Sequence, residues 1–292
     1  MTKPGLIDYS SKPPVRELSI RAPHLANYDR IYGSVGEEKA EDYSDSALQS
    51  YLSAYEEAGA HKVVIKARDL ETTFGAKIRN EDVADFCRAN SNRFIGFAGV
   101  DPHKGMAAVR ELEYAVKELG LRGLNLQCFE HKLHINDAKM YPLYAKCIEL
   151  DIPVNIHCGI NFSTSASMEY GRPHLLDEVM IHFPELRVCA APPGWPWVHE
   201  LLGVAWKHSN LWIGLVYVRP KYLSVQHSGY EPLLQYGRTI LQDKIIFGSG
   251  YPSLSLDSAL AEIDALGLPE PVREKWLHRN AATFLRLDDA AS

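Results

Sequence analysis

The 292-residue chain lacks the features that would place it in a membrane or on nucleic acid. No apolar stretch approaches the roughly 18 to 20 residues that a bilayer-spanning helix requires. The N-terminus shows no charged segment followed by an apolar run, so no signal peptide is expected. The formal net charge is -6 and no basic stripe exists to displace counterions from phosphates. These absences predict a protein that binds neither membrane nor nucleic acid.

Cysteine is also scarce, and its pattern argues against a disulfide framework. The five cysteines are odd in number and include no CxxC pair. A reducing cytoplasm is therefore the predicted location. Nucleophile motifs are absent as well, because no G-x-S-x-G elbow occurs. Cys158 directly follows His157, so the two side chains are expected on opposite faces of a strand.

The twelve histidines form no HxH or HxxxH pair. A hydrolytic zinc site needs three converging protein ligands, and only His157 lies at a predicted strand end. The sequence therefore predicts no resident metal and no other cofactor. The alternative is an unrecognised metal site that combines His157 with His131, His134 or Cys158.

What the sequence does contain is a regular alternation of short β-rich runs and amphipathic helices. The predicted strands are 5–9, 62–67, 94–99, 123–128, 153–158, 186–191, 211–216 and 244–248. The predicted helices are 45–58, 80–90, 105–119, 138–150, 174–183, 196–208 and 256–266. Eight such units favour a (β/α)8 barrel, an α/β fold of this length. We expect one domain over 1–292, with a C-terminal helical cap near 269–286.

A doubly wound open sheet is the alternative to the barrel. Such a sheet should carry a glycine-rich phosphate-binding turn after its first strand. Residues 8–14, DYSSKPP, contain no glycine. The barrel is therefore preferred.

Polar side chains at the strand ends are the candidate site, because alternate residues of a barrel strand point inward. Polar groups inside apolar strands are costly unless they are hydrogen-bonded. Together at one barrel end they favour a polar ligand pocket, and aromatic residues beyond two strands favour a planar ligand. The candidates are Asp8, Ser10, Lys12, Lys66, Arg68, Asn125, Gln127, Asn155, His157, Trp195 and Tyr251.

Long stretches of the chain resemble a known family. They are GLNLQCFEHKLHINDAKMYPLYAKCIELDIPVNIHCG, HLLDEVMIHFPELRVCAAPPGWPWVHE and IIFGSGYPSLSLDSALAEIDALGLP. These resemble the amidohydrolase-related (amidohydrolase_2) family, which contains the aminocarboxymuconate-semialdehyde and resorcylate-type decarboxylases. The resemblance runs over nearly the whole chain and implies a (β/α)8 barrel.

The same resemblance implies that most metal ligands of the family are missing. Its first strand reads I-D-x-H-x-H, and Ser10 and Lys12 stand at the two histidine positions. His157 matches the fifth-strand histidine, whereas the sixth-strand histidine falls on Pro192 and the eighth-strand aspartate on Gly250. One imidazole cannot hold a divalent cation usefully against water. The chain is therefore expected to be metal-free.

The first functional hypothesis is a metal-independent enzyme, a hydrolase or carbon–carbon lyase such as a decarboxylase. Its substrate would be a small carboxylate or carbonyl compound, with aromatic compounds included in that class. His157 would be the general acid or base, and Lys12 or Lys66 would take over the cationic task of the metal. The residues expected to bind the substrate are Asp8, Ser10, Asn125, Gln127, Asn155, Trp195 and Tyr251.

The second hypothesis is a degenerate paralogue without catalysis. Such a protein would bind a ligand or support a metal-bearing homologous subunit. Segments 13–44 and 216–230 could supply an interface, and a homodimer is the expected assembly.

Overall fold

The computed structural model describes residues 5–34, 42–90 and 92–287. Its main sheet contains eight parallel strands in the order β1-β2-β5-β6-β7-β8-β9-β10. Strands β3 and β4 form a separate antiparallel hairpin. The strands are β1 Ile7–Asp8, β2 Lys62–Lys66, β3 Arg68–Leu70, β4 Ala76–Ile78, β5 Phe94–Gly99, β6 Leu124–Leu126, β7 Val154–Ile156, β8 Val188–Ala190, β9 Leu211–Leu215 and β10 Ile245–Phe247.

Helices alternate with these strands. They are α1 Ala26–Ser34, α2 Asp45–Glu57, α3 Glu71–Phe74, α4 Asn80–Ala89, α5 Met106–Lys117, α6 Cys128–His131, α7 Tyr141–Glu149, α8 Leu175–His182, α9 Val198–Lys207, α10 Glu231–Gly237, α11 Leu256–Ala265, α12 Glu270–Glu274 and α13 Asn280–Leu285. A π-helical turn, Lys275–Arg279, joins the last two. All eight predicted strands and all seven predicted helices are present. The β3–β4 hairpin and helices α1, α3, α6 and α10 were not predicted.

Local sequence explains where the helices begin and which face they bury. Helix α5 buries Val109, Leu112 and Ala115 at the spacing of one helical face. Ser44 caps α2 by accepting a hydrogen bond from the Ala47 amide, and Ser255 caps α11 in the same way. These caps satisfy amide groups that the first helical turn leaves unpaired.

The barrel closes where its first strand meets its last. The Tyr9 amide donates to the Phe247 carbonyl at 3.0 Å, and the Gly250 amide donates to the Ser10 carbonyl at 2.9 Å. A parallel bridge between Ser11 and Tyr251 extends this seam. The predicted (β/α)8 barrel is thus confirmed.

Two apolar layers stabilise the barrel. The larger lies between the strands and the surrounding helices, and the smaller fills the barrel interior around Ile7, Tyr9 and Phe97. Phe284 of α13 packs edge-on against Tyr9 with ring centroids 5.5 Å apart. Asn280 donates to the Ile245 carbonyl at the start of β10, so the predicted C-terminal cap covers the amino end of the strands. The opposite, carboxyl end is left for the site.

Two findings bear on the environment of the chain. Over the described ranges, none of the helices is both long and apolar enough to cross a membrane. All five cysteines are free.

Candidate active site at the carboxyl end of the barrel

Lys66 stands at the centre of the inward-facing polar groups. It is in register with Phe97 of the barrel interior, so its side chain enters the barrel as predicted. Its ammonium donates to Asn155 Oδ1 at 3.2 Å and lies 4.1 Å from the centroid of the Tyr9 ring. Burial, with a smaller contribution from the charge of Lys12, lowers the pKa of Lys66 to about 7, and Cys189 and Asp8 oppose this change. At neutral pH this lysine can therefore either hold or release a proton.

Three amide side chains continue from Lys66 across neighbouring strands. Asn155 Nδ2 donates to Asn125 Oδ1 at 2.8 Å, and Gln127 Nε2 donates to the same oxygen at 3.0 Å. Asn125 in turn donates to the Ala67 carbonyl at 2.9 Å. Lys66 and these three amides, which we name the Lys66 cluster, are thus brought together as the sequence predicts. Fixed amide dipoles around one ammonium form a preorganised polar surface.

His157 lies on β7's carboxyl end, two residues beyond Asn155. It is 6% exposed, and its ring centroid is 4.5 Å from that of Phe129. Burial lowers the pKa of His157 to about 4, although the Glu130 carboxylate opposes that shift. At neutral pH the imidazole is therefore neutral and can donate one hydrogen bond.

A buried ion pair borders His157. Glu130 of α6 is fully buried and accepts hydrogen bonds from Arg68 Nε at 3.0 Å and from Arg68 Nη2. His24 Nε2 lies 2.9 Å from Glu130 Oε1. Burial opposes ionisation of Glu130, but the charge of Arg68 and the His24 contact outweigh it and lower the pKa to about 2. Sequence reasoning had not singled out Glu130 or His24.

The prediction that Asp8 points into the barrel is wrong. Asp8 is in register with Val63, which faces the helices. Its carboxylate accepts from the hydroxyls of Tyr55 and Ser249 at 2.6 Å each, and from the Ser249 and Ser10 amides at 2.9 and 3.1 Å. Ser11 Oγ lies 2.9 Å from the hydroxyls of both Tyr51 and Tyr55. These five residues, Asp8, Ser11, Tyr51, Tyr55 and Ser249, form the Asp8 cluster, which lies between the sheet and α2.

The other predicted residues lie around the rim. Ser10 is buried at the seam between β1 and β10. Lys12 is exposed, with its ammonium 5.1 Å from the Tyr217 ring centroid. Tyr251 packs against Tyr51, with ring centroids 5.1 Å apart. Trp195 is 36% exposed and donates from its indole to the Ser228 carbonyl at 3.3 Å.

The sequence that builds this site matches a known protein family. The amidohydrolase family model (Amidohydro_2) matches residues 24–287. The chain belongs to the amidohydrolase family. This amidohydrolase is 24% identical over 252 residues to gamma-resorcylate decarboxylase of Rhodococcus jostii (strain RHA1), an alignment that covers 73% of this chain and 77% of that protein.

Solved structures share the barrel of this amidohydrolase. An uncharacterised TIM-barrel protein from Bordetella bronchiseptica has a TM-score of 0.80 and 28% identity, and the match covers 97% of this chain and 99% of that one. A dihydroxybenzoic acid decarboxylase from Polaromonas sp. JS666, solved with manganese and the inhibitor 2-nitroresorcinol, has a TM-score of 0.66 and 17% identity over 98% of both chains. These likenesses agree with the barrel described above.

The donor set of this amidohydrolase does not fit a manganese-type centre. Gly250 has a φ of +67°, and a Cβ there would lie 3.1 Å from both the amide nitrogen and a ring atom of Tyr217. An aspartate at this position would thus be strained and obstructed. The ammonium of Lys12 and the ring of Pro192 offer no metal-binding atom, since a ligand needs a free lone pair.

The alternative metal site around His157 is also unsupported by the geometry. In the part of the chain that the structure describes, no group of three or more His, Cys, Asp or Glu side chains could hold a metal ion. Cys158 belongs to the layer between the sheet and the helices. His131 is buried at the end of α6, whereas His134 is exposed beside Tyr170. The four groups therefore do not converge.

Proposed function

We propose that this amidohydrolase is a metal-independent decarboxylase that acts on a small aromatic carboxylate. The observation that carries the proposal is the ammonium of Lys66, whose partners among the described residues are an amide oxygen and an aromatic ring. Among the described residues no carboxylate forms an ion pair with it. A cation held in this way at the carboxyl end of a barrel is suited to bind an anion.

The substrate carboxylate would lie against Lys66, and decarboxylation would follow from proton delivery. The ammonium gives a proton to the ring carbon that bears the carboxylate. The bond from that carbon to the carboxylate carbon then breaks, its electron pair restores the aromatic ring, and carbon dioxide leaves. Lys66 regains its proton from water. A pKa of about 7 suits this exchange at neutral pH.

The remaining groups would orient the substrate rather than react with it. The amides of the Lys66 cluster fix the ammonium through Asn155. The neutral imidazole of His157 would donate a hydrogen bond to an oxygen of the substrate, beside the ring of Phe129. Decarboxylation is favoured over hydrolysis because two similar proteins are named decarboxylases of hydroxylated aromatic acids.

The proposal is tested with chelator-treated protein whose metal content is measured in parallel. We expect 2,6-dihydroxybenzoate or a related hydroxybenzoate to release carbon dioxide, at a rate that added manganese or zinc does not change. A rate that appears only with stoichiometric metal would contradict metal independence. If these acids bind but none of them is decarboxylated, the proposal of catalysis is contradicted. That result would support the hypothesis of a ligand-binding protein or supporting subunit instead.

A further inference from the structure

Arg68 takes no part in the proposed reaction, yet neighbouring groups hold both its backbone and its side chain in place. It begins β3, directly after the Ala67 carbonyl that accepts from Asn125. The neighbouring Gly99 leaves room for this crossing, because a Cβ at Gly99 would clash with the Arg68 amide. The backbone of Arg68 is therefore tied to the Lys66 cluster.

The guanidinium is also held at its far end. Glu130 accepts from Nε and Nη2 along one edge of the guanidinium, the bidentate geometry that arginine forms with carboxylates. Glu130 is itself restrained by His24, whose ring stacks on Phe74 at a centroid distance of 3.7 Å and an interplanar angle of 18°. Side chains from α6, α3 and the segment before α1 thus hold Arg68 in one orientation.

The other edge of the guanidinium is available to a ligand. The side chain of Arg68 is 13% exposed, and within the described ranges Nη1 donates to no protein group. Because Glu130 already balances the charge of Arg68, this edge is suited to a hydroxyl or phenolate oxygen more than to a second carboxylate. Lys66, which forms no ion pair with a carboxylate in the part of the chain that the structure describes, is the better anchor for the substrate carboxylate.

The geometry points to Arg68 as the residue that selects substrates with a hydroxyl group on the aromatic ring, and to Glu130 and His24 as the residues that position it. This inference rests on the proposed function, since it assumes an aromatic carboxylate held by Lys66. Arg68, held by Glu130 and His24, would then bind the hydroxyl oxygen on the aromatic ring.

The test compares calorimetric binding of 2,6-dihydroxybenzoate and benzoate to wild type and variants. We expect the wild type to bind the dihydroxy acid at least about tenfold more tightly, the size of one hydrogen bond to a charged group. Arg68→Lys should reduce this ratio to about twofold or less while the benzoate affinity stays unchanged. A ratio that is unchanged, or an equal loss for both ligands, overturns the inference.

Two further variants separate recognition from folding. The double variant Arg68→Met/Glu130→Met leaves no unpaired charge and should retain the fold, yet it should also lose the preference for the dihydroxy acid. Glu130→Gln should reduce the ratio about threefold without weakening benzoate, whereas a purely structural Glu130 would lower the unfolding temperature and leave the ratio unchanged.

The result expected if the proposed decarboxylation is wrong differs from the result expected if the role of Arg68 is wrong. In the first case the wild type would release no carbon dioxide from either acid, but the binding ratio and its dependence on Arg68 would persist. If neither acid binds to the wild type, both the function and the role of Arg68 are wrong.

Discussion

The Lys66 cluster and the Asp8 cluster lie near the same end of the barrel but on opposite faces of its sheet. The Asp8 carboxylate is fully buried and accepts four hydrogen bonds from hydroxyl and amide groups. Lys66 is partly exposed as a residue, and among the described residues its ammonium makes one hydrogen bond to a protein oxygen. The Asp8 carboxylate thus has its hydrogen-bond partners within the protein, whereas the Lys66 ammonium can still bind an anionic ligand.

This difference separates a structural polar cluster from a functional one more reliably than residue type does. A buried carboxylate with four donors rigidifies the structure around it. An ammonium whose pKa is lowered by burial, without a carboxylate partner, is a candidate for function. Substitutions in the two clusters should therefore have opposite effects on catalysis and on stability.

The largest expected effect is that of Lys66→Met on catalysis. Removing the cation should lower kcat/KM for a hydroxybenzoate by about 100-fold or more, the usual loss when a charge-stabilising group is deleted. Stability should not fall, because methionine is an apolar residue of similar length at a half-buried site. Steady-state kinetics and urea unfolding measure the two effects.

A matched control comes from the same strand. Lys62 lies at the opposite end of β2, where its ammonium contacts the Asn92 carbonyl, so Lys62→Met should leave kcat/KM unchanged. Equal losses in both lysine variants would mean that the assay reports general damage to β2. Full activity in Lys66→Met would remove Lys66 from the mechanism.

Asp8→Ala should have the opposite outcome. It leaves the hydroxyls of Tyr55 and Ser249 and the Ser249 amide without their buried acceptor, which should lower the free energy of unfolding by about 3 kcal/mol. Since the charge of Asp8 raises the pKa of Lys66, its loss should lower that pKa. Binding of 2,6-dihydroxybenzoate by the folded fraction should be unchanged at a pH that keeps Lys66 protonated, as calorimetry below the unfolding transition would show. A stable Asp8→Ala protein that has lost ligand affinity would place Asp8 in the site after all.

The contrast between the clusters also shows what the sequence could predict. Strand and helix positions follow from local periodicity, so the eight strands and the barrel were predicted. The inward direction of Lys66 and Asn155 also followed, because β2 and β7 remain regular up to these residues. At β1 the strand comprises only Ile7 and Asp8, too few residues to set the inward face by alternation, and Asp8 was assigned to the wrong face.

The contacts of Glu130 with Arg68 and His24 could not be predicted in the same way. Glu130 is 62 residues from Arg68 and 106 from His24 along the chain. Nothing local to α6 distinguishes its glutamate from a solvated one, since only the packing of α6 against β3 and the segment before α1 brings the three together. That Ser10, Lys12, Pro192 and Gly250 stand where the family has metal ligands or a catalytic histidine followed from the family resemblance alone.

The pH dependence of kcat/KM should reflect the lowered pKa of Lys66. The ammonium form is the proton donor, and in the free enzyme it is lost as the pH rises through about 7. We therefore expect kcat/KM to fall about tenfold for each pH unit above that value. Lys66→Arg should show no such fall in whatever activity it retains, because a guanidinium stays protonated in this range. A wild-type profile that is flat to pH 9 would contradict proton donation by Lys66.

The smallest expected effect is that of Lys12→Met. Lys12 is exposed, and its ammonium lies over the Tyr217 ring rather than inside the Lys66 cluster. It acts on the site through its charge, which lowers the pKa of Lys66. Its removal should therefore raise that pKa and shift the fall in kcat/KM to higher pH, while carboxylate affinity drops only about two- to threefold, as for other exposed charges. Because solvent screens such an interaction, 0.5 M salt should reduce the difference between Lys12→Met and wild type. A loss as large as that of Lys66→Met would instead mean that Lys12 contacts the substrate, and the boundary of the site would then extend along the β1–β10 seam.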